Sequence, residues 1–166
     1  MVTQALSLEE QIWAVLGAIE DPELPVSITD LGLIQAVRVD GPRVHVTMRP
    51  TFSACPAIGV IREDIRRRVA ALAGVDAVEV AVSFAPPWTM DRMTARARER
   101  LFSHGVSVER LGGAGRGVQC PFCGSTNTRL DNPFGPTLCR SIYYCLDCKN
   151  PIERFRPPGA PVDDAS

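Results

Sequence analysis

Lysine is almost missing from this chain: Lys149 stands alone against seventeen arginines. Set beside abundant alanine, glycine and valine, that bias reads as the codon usage of a GC-rich genome. The arginine clusters, Arg66-Arg67-Arg68 and Arg92, Arg96, Arg98 and Arg100, are therefore read as solvated helix faces before they are read as phosphate sites. Histidine is scarce too. His45 and His104 have no partner in sequence and count as surface residues. No apolar run approaches the roughly eighteen residues of a membrane span. The first residues lack both the basic and the apolar stretch of a secretory signal. No glycine-rich phosphate loop, Gly-x-Ser-x-Gly elbow or His-Glu-x-x-His helix is present. A net charge of −1 argues against bulk attraction to nucleic acid or acidic membranes. These absences leave an expectation of a cytoplasmic protein with reduced thiols, built from one medium domain and a small satellite.

Cysteine is present and patterned. Four of the six cysteines form Cys120-Pro-Phe-Cys123 and Cys145-Leu-Asp-Cys148, with twenty-one residues between the pairs. Two thiolate hooks at that spacing point to a tetrahedral four-cysteine metal site. Pro121 and Gly124 suit the tight turn of a zinc knuckle. Zinc is the leading metal, and a rubredoxin-like iron site uses the same ligands. Four thiolates leave no open coordination position, so the expected role is structural. Tyr143, Tyr144 and Arg140 either supply stacking and charge to a ligand or pack against the metal core. Cys139 lies outside the pattern as a spare ligand, a second thiol or a small buried side chain.

The rest of the chain reads as helix, strand, strand, helix, strand, helix: a two-layer α+β domain with a small mixed sheet over residues 5–105. Ser7 and Glu10 form a capping box ahead of Leu8, Ile12, Val15, Leu16 and Ile19, a helix expected to end near Glu20. Leu33–Val39 and Arg43–Arg49 flank an Asp40-Gly41-Pro42 turn as a hairpin, with His45, Thr47 and Arg49 facing outward. Ile58, Ile61, Ile65, Val69 and Leu72 mark the second helix. It carries the chain to Val78–Phe84, which should run parallel to the second strand because a helical crossover joins them. Met93, Ala97 and Leu101 mark the third helix. Residues 106–118, with Gly112–Gly117, read as a flexible linker, residues 119–156 as the four-cysteine zinc ribbon, and residues 157–166 as a disordered tail.

Cys55, in Thr51-Phe52-Ser53-Ala54-Cys55-Pro56, falls at or next to a helix N-cap, with Pro56 suited to the first helical position. Unpaired N–H groups and the helix dipole there favour a thiolate, and so a nucleophile or a soft-metal ligand. Free cysteine is equally among the most buried residue types. Asp21, Glu23 and Asp30 cluster in the preceding loops, either as hard ligands for iron or as turn residues.

In both halves the motifs resemble a known family. Asp21-Pro22-Glu23, Ile28-Thr29-Asp30-Leu31-Gly32 and Pro50-Thr51-Phe52-Ser53-Ala54-Cys55-Pro56-Ala57 resemble the SufT-like domains implicated in iron–sulfur cluster assembly. Pro87-Trp88-Thr89, the ribbon, Phe134-Gly135-x-Thr137-x-Cys139 and Pro151-x-x-x-Phe155 resemble a narrower group. That group is the PaaD proteins (also called PaaJ), accessory subunits encoded with the bacterial phenylacetyl-CoA epoxidase. The resemblance spans residues 8–156. It implies an accessory, non-catalytic role in maturing a metal centre of a system in which a di-iron oxygenase is fed by a flavin and [2Fe–2S] reductase. By that resemblance Cys55 matches the reactive cysteine and would bind iron or a cluster transiently. Asp21, Glu23, Asp30 and Thr51 match the other motif positions. The implied partners are oxygenase or reductase subunits and a second copy of the chain, with neither nucleic acid nor membrane. Two positions depart from the pattern: Ala54 where glycine is usual, and Asn132 in place of a more usual serine.

Overall fold

The computed structural model describes residues 6–108 and 117–156, so residues 109–116 of the linker, and the tail from Pro157, lie outside the described residues. The chain divides into two compact units, one formed by residues up to Pro50 with Pro56–Trp88, the other by Thr51–Cys55 with the chain from Thr89 onward. No helix is long and apolar enough to cross a membrane among the described residues.

The first unit contains α1 (Leu8–Gly17), β1 (Ile34–Asp40), β2 (Arg43–Met48), α2 (Ala57–Ala70) and β3 (Ala77–Val82). The capping box forms as expected: the Ser7 hydroxyl accepts from the Glu10 N–H, and the Glu10 carboxylate accepts from the Ser7 N–H at 2.7 Å. The helix stops at Gly17 rather than near Glu20. Beyond it Glu20 bridges to Ser27, and the Asp21 and Ile28 N–H groups donate to Val26 and Ile19. A non-local pairing thus takes the backbone groups that a longer helix would need.

The sheet has the order β1-β2-β3, with β1 antiparallel to β2 and β2 parallel to β3. The mixed sheet expected from the hairpin and the helical crossover is therefore present. Gly41, at φ +55°, makes the hairpin turn in the left-handed region that glycine tolerates. Val44, Val46 and Met48 of β2 are buried, as are Ile12 and Leu16 of α1 and Ile61, Ile65 and Val69 of α2. Each such side chain contributes about 1.5–3 kcal/mol of burial free energy. Arg49, expected to face outward, is only 2% exposed. The strand ends at Met48, so the alternation no longer governs Arg49, whose N–H donates to the Leu33 carbonyl at 2.6 Å.

Trp88, at the end of this unit, is 3% exposed and donates its indole N–H to the Leu31 carbonyl at 2.9 Å. It thereby ties down the loop that carries Asp30.

The second unit contains a 3-10 turn (Met90–Arg92), α3 (Ala95–Ser103), β4 (Val106–Ser107), β5 (Thr128–Asn132), β6 (Arg140–Cys145) and β7 (Pro151–Phe155). Thr94 caps α3 by accepting from the Ala97 N–H. The strands form one sheet in the order β4-β7-β6-β5. Val106 and Ser107, read from sequence as the start of a linker, form a strand parallel to β7. A two-residue strand is too short to carry a period, so its pairing is visible only in three dimensions. The core of this sheet is Val118, Cys120, Tyr143, Cys145 and Ile152, with Leu130 and Cys148 against it.

Candidate functional site

The two Cys-x-x-Cys turns are built alike. In the first, the Gly124 N–H returns to the Cys120 carbonyl at 2.8 Å, and in the second the Lys149 N–H returns to Cys145 at 3.0 Å. Both residues are left-handed, Gly124 at φ +76° and Lys149 at φ +64°. The Cys120 N–H donates to Ser125, and the Cys145 N–H to Asn150. Each hook is thus closed by its own backbone before any ion is considered.

Across the hooks the four sulfurs lie within 4.8 Å of one another, with Cys120 to Cys148 and Cys123 to Cys145 both at 3.6 Å. A tetrahedron with Zn–S arms of ~2.3 Å has edges of about 3.8 Å, close to the two 3.6 Å pairs, so one ion fits this donor set with sulfur shifts of about 1 Å or less. Asp147 locks the hooks together. Its carboxylate accepts from the Ser125 hydroxyl and from the Asn127 amide, the latter at 2.8 Å.

The thiols are electrostatically unequal. Hydrogen bonds from the side chain and backbone of Asn150 hold Cys148 down to about 6. Cys120 is pushed up, chiefly by burial. At Cys123 the Ser125 N–H favours the thiolate, but burial and the three neighbouring cysteines outweigh it and push the thiol up to about 12. Cys148 is therefore a thiolate at neutral pH while Cys123 keeps its proton, and a cation must displace that proton to be held by all four sulfurs.

Cys139 is outside this group. It is buried, its sulfur lies 3.1 Å from the Thr137 hydroxyl, and its carbonyl accepts from the Arg156 N–H. Tyr143 is buried in the ribbon core, and Arg140 is buried beside Glu153 and Thr137. Of the three residues considered for stacking and charge, Tyr144 alone stays near the surface, beneath the Arg129 guanidinium at 5.7 Å.

Cys55 lies in the loop between the end of β2 and the start of α2. It is half-buried, and its N–H donates to the Phe52 carbonyl at 3.3 Å. Pro56 occupies the cap itself rather than the first helical position, one residue earlier than expected, and makes no side-chain bond to the first turn. Thr51, in the same loop, is buried. Ala54 has no left-handed φ, so alanine is accommodated there without strain. Asn132 accepts from the Phe134 N–H at 2.9 Å, a role that a serine hydroxyl could also fill.

Asp21, Glu23 and Asp30 are half-buried in the loops before β1. The Asp21 carboxylate accepts from the Glu23 and Leu24 N–H groups at 2.9 and 3.1 Å, and the Asp30 N–H donates to Ser27. Asp21 thus acts as a turn-former, one of the two roles that sequence left open. Sequence reasoning missed Asp147 and Asn150. Their positions, one residue before Cys148 and two after it, were the available signal.

Comparison with known proteins accounts for both units. Residues 9–82 match the iron–sulfur cluster assembly protein family, and residues 105–156 match the PaaD zinc beta ribbon domain. A protein of Escherichia coli (strain K12), described as a candidate subunit of 1,2-phenylacetyl-CoA epoxidase, is 39% identical over 88% of this chain and 91% of its own. An Fe-S protein maturation auxiliary factor of Porphyromonas gingivalis is 42% identical over 61% of this chain and 97% of its own. Among solved structures, a domain of unknown function from Bacillus anthracis is 36% identical, covers 57% of this chain and 91% of that one, and superposes with a TM-score of 0.53. The chain therefore belongs to the PaaD-like proteins, in which an iron–sulfur assembly domain is followed by a PaaD zinc ribbon.

Proposed function

We propose that this chain is an accessory factor of a phenylacetyl-CoA epoxidase system that helps assemble an iron or iron–sulfur centre in the oxygenase or its reductase. The oxidation itself belongs to those subunits. The observation that carries the reading is the joining, in one chain, of an iron–sulfur assembly domain to a ribbon of the PaaD type. In this reading Cys55 holds the iron or nascent cluster as a thiolate. Thr51 shares its loop, and Glu23 and Asp30 are the carboxylates that the resemblance adds to the motif.

The two sulfur sites have opposite characters, which supports dividing the work between them. Transfer by ligand exchange needs an ion that is accessible and incompletely coordinated. A half-buried loop thiol meets that need. Four thiolates around zinc saturate the ion and hold it, which suits a docking module kept in shape. Phe122 and Leu146, exposed within the two cysteine turns, offer that module apolar contact area.

The test is Cys55→Ser, produced together with the oxygenase and reductase subunits. The expected result is an assembled client complex whose iron content falls several-fold, while the variant itself keeps its fold and ribbon metal. Normal client loading would contradict the maturation role. If breaking the ribbon then still dissociated the complex, the chain would be a structural adaptor instead.

A further inference from the structure

The loop Thr51–Cys55 joins β2 to α2, two elements of the first unit, yet it belongs to the second. Pro50 and Pro56, on either side of it, belong to the first. The loop is thus drawn out of its sequence neighbourhood to pack with the chain from Thr89 onward. Inside it a turn closes from the Cys55 N–H to the Phe52 carbonyl at 3.3 Å, longer than the usual backbone bond of about 2.9–3.0 Å. α2 starts after the loop with Pro56 as its cap and no side-chain bond to the first turn. Thr51 is nonetheless buried, at 7% exposure, and Cys55 is half-buried. Neither a side-chain cap nor a strong turn shapes this segment, so its order depends on the unit it packs with.

Other parts of that unit meet at the first cysteine hook. Phe122, between Cys120 and Cys123, lays its ring over Gly105, where a Cβ would lie 3.2 Å from the ring's Cζ. Gly105 directly follows the C-cap of α3, and its carbonyl accepts from the Glu153 N–H of β7. β4 begins at the next residue and pairs with β7. α3, β4 and β7 therefore converge on a hook whose two cysteines belong to the four-cysteine group. Without an ion that group loses the link between its hooks, and the small core built on Cys120 and Cys145 loses its anchor.

We infer that the ribbon ion governs the Cys55 loop: with the ion bound the loop is ordered as part of the second unit, and without it the loop opens while the three-stranded sheet stays folded. The first unit has a core of its own, in which Val44, Val46, Met48, Ile61, Ile65 and Val69 are buried, so its folding does not call on the ion. Opening then follows the boundary between the units, as local unfolding follows cooperative blocks of structure. The chain presents a shaped Cys55 loop only once its ribbon is loaded. This concerns the order of the loop and not what Cys55 carries, so it goes beyond the maturation role and fails separately from it.

Alkylation of Cys55 by iodoacetamide tests it, followed at that one residue by mass spectrometry on the full zinc-loaded chain, kept anaerobic and without added iron. Removing the zinc with a strong chelator should speed labelling of Cys55 by about tenfold or more, the scale on which opening exposes a packed segment. Returning zinc should restore the slow rate. Amide exchange on the same samples should lose protection over Thr51–Cys55 together with β5, β6 and β7, and keep it in β1, β2 and β3. A Cys55 rate that zinc removal leaves unchanged would overturn the inference. So would simultaneous loss of protection in β1, β2 and β3, which would make the chain one cooperative block. Client loading enters neither readout, so either result leaves the maturation role to its own test.

Discussion

Replacing Cys120 with serine should abolish the ordered four-stranded sheet while the three-stranded sheet stays folded. The core cluster at the cysteine end of the ribbon is Val118, Cys120, Tyr143, Cys145 and Ile152, and two of these belong to the four-cysteine group. So small a core cannot offset the entropy of ordering its strands, a cost of about 1–2 kcal/mol per residue. A structural zinc ion supplies an apparent binding free energy of about 10–16 kcal/mol, which for such a module is its folding free energy. Serine at position 120 removes one thiolate and leaves an oxygen that binds zinc poorly. Bound metal should therefore fall from one ion per chain to near zero. Amide hydrogen exchange should lose protection across β5, β6 and β7 while β1, β2 and β3 keep theirs. A strong chelator should reproduce the pattern in the wild-type chain. Full protection of β6 in the metal-free variant would show that the ribbon folds without its ion.

Trp88→Ala should be the most damaging single change in the first unit outside its metal chemistry. A fully buried tryptophan cut back to alanine costs about 3–5 kcal/mol through lost transfer free energy and the cavity left behind. The Leu31 carbonyl also loses the indole N–H that satisfies it. Trp88→Phe separates the two contributions, since it keeps much of the volume and removes the bond at a cost of roughly 1–3 kcal/mol. Denaturant midpoints followed by circular dichroism give the readout, because Trp13 complicates fluorescence. An unchanged midpoint in Trp88→Ala would mean that the Leu31 loop is held by other contacts.

Sequence was most informative where structure is set locally. The Ser7–Glu10 box, the Asp40-Gly41-Pro42 turn and the parallel placement of β3 each follow from short-range chemistry or from the handedness of crossovers. It was least informative where a distant segment decides. The early end of α1 depends on the bridge between Glu20 and Ser27, and β4 exists only because β7 lies beside it. Gly117 shows the same limit. In sequence it closes a glycine-rich linker, yet a Cβ there would lie 2.3 Å from the Thr126 carbonyl oxygen. That glycine serves close backbone approach rather than flexibility.

The convergence of the ribbon's four cysteines was legible because tetrahedral thiolate sites impose a spacing, and the hydrogen bonds of Asp147 and Asn150 beside them were not. Cys55 and its companion carboxylates sit in loops, which have no period, so only their family motif singles them out.

Metal analysis with an absorption spectrum, on the full chain purified anaerobically and supplied with ferrous iron and sulfide, tests the role of Cys55 most directly. The account predicts one colourless zinc per chain in both the wild-type protein and Cys55→Ser. It also predicts additional iron with visible absorption in the wild type, lost from the variant. Zinc alone in both, with identical spectra, would contradict it.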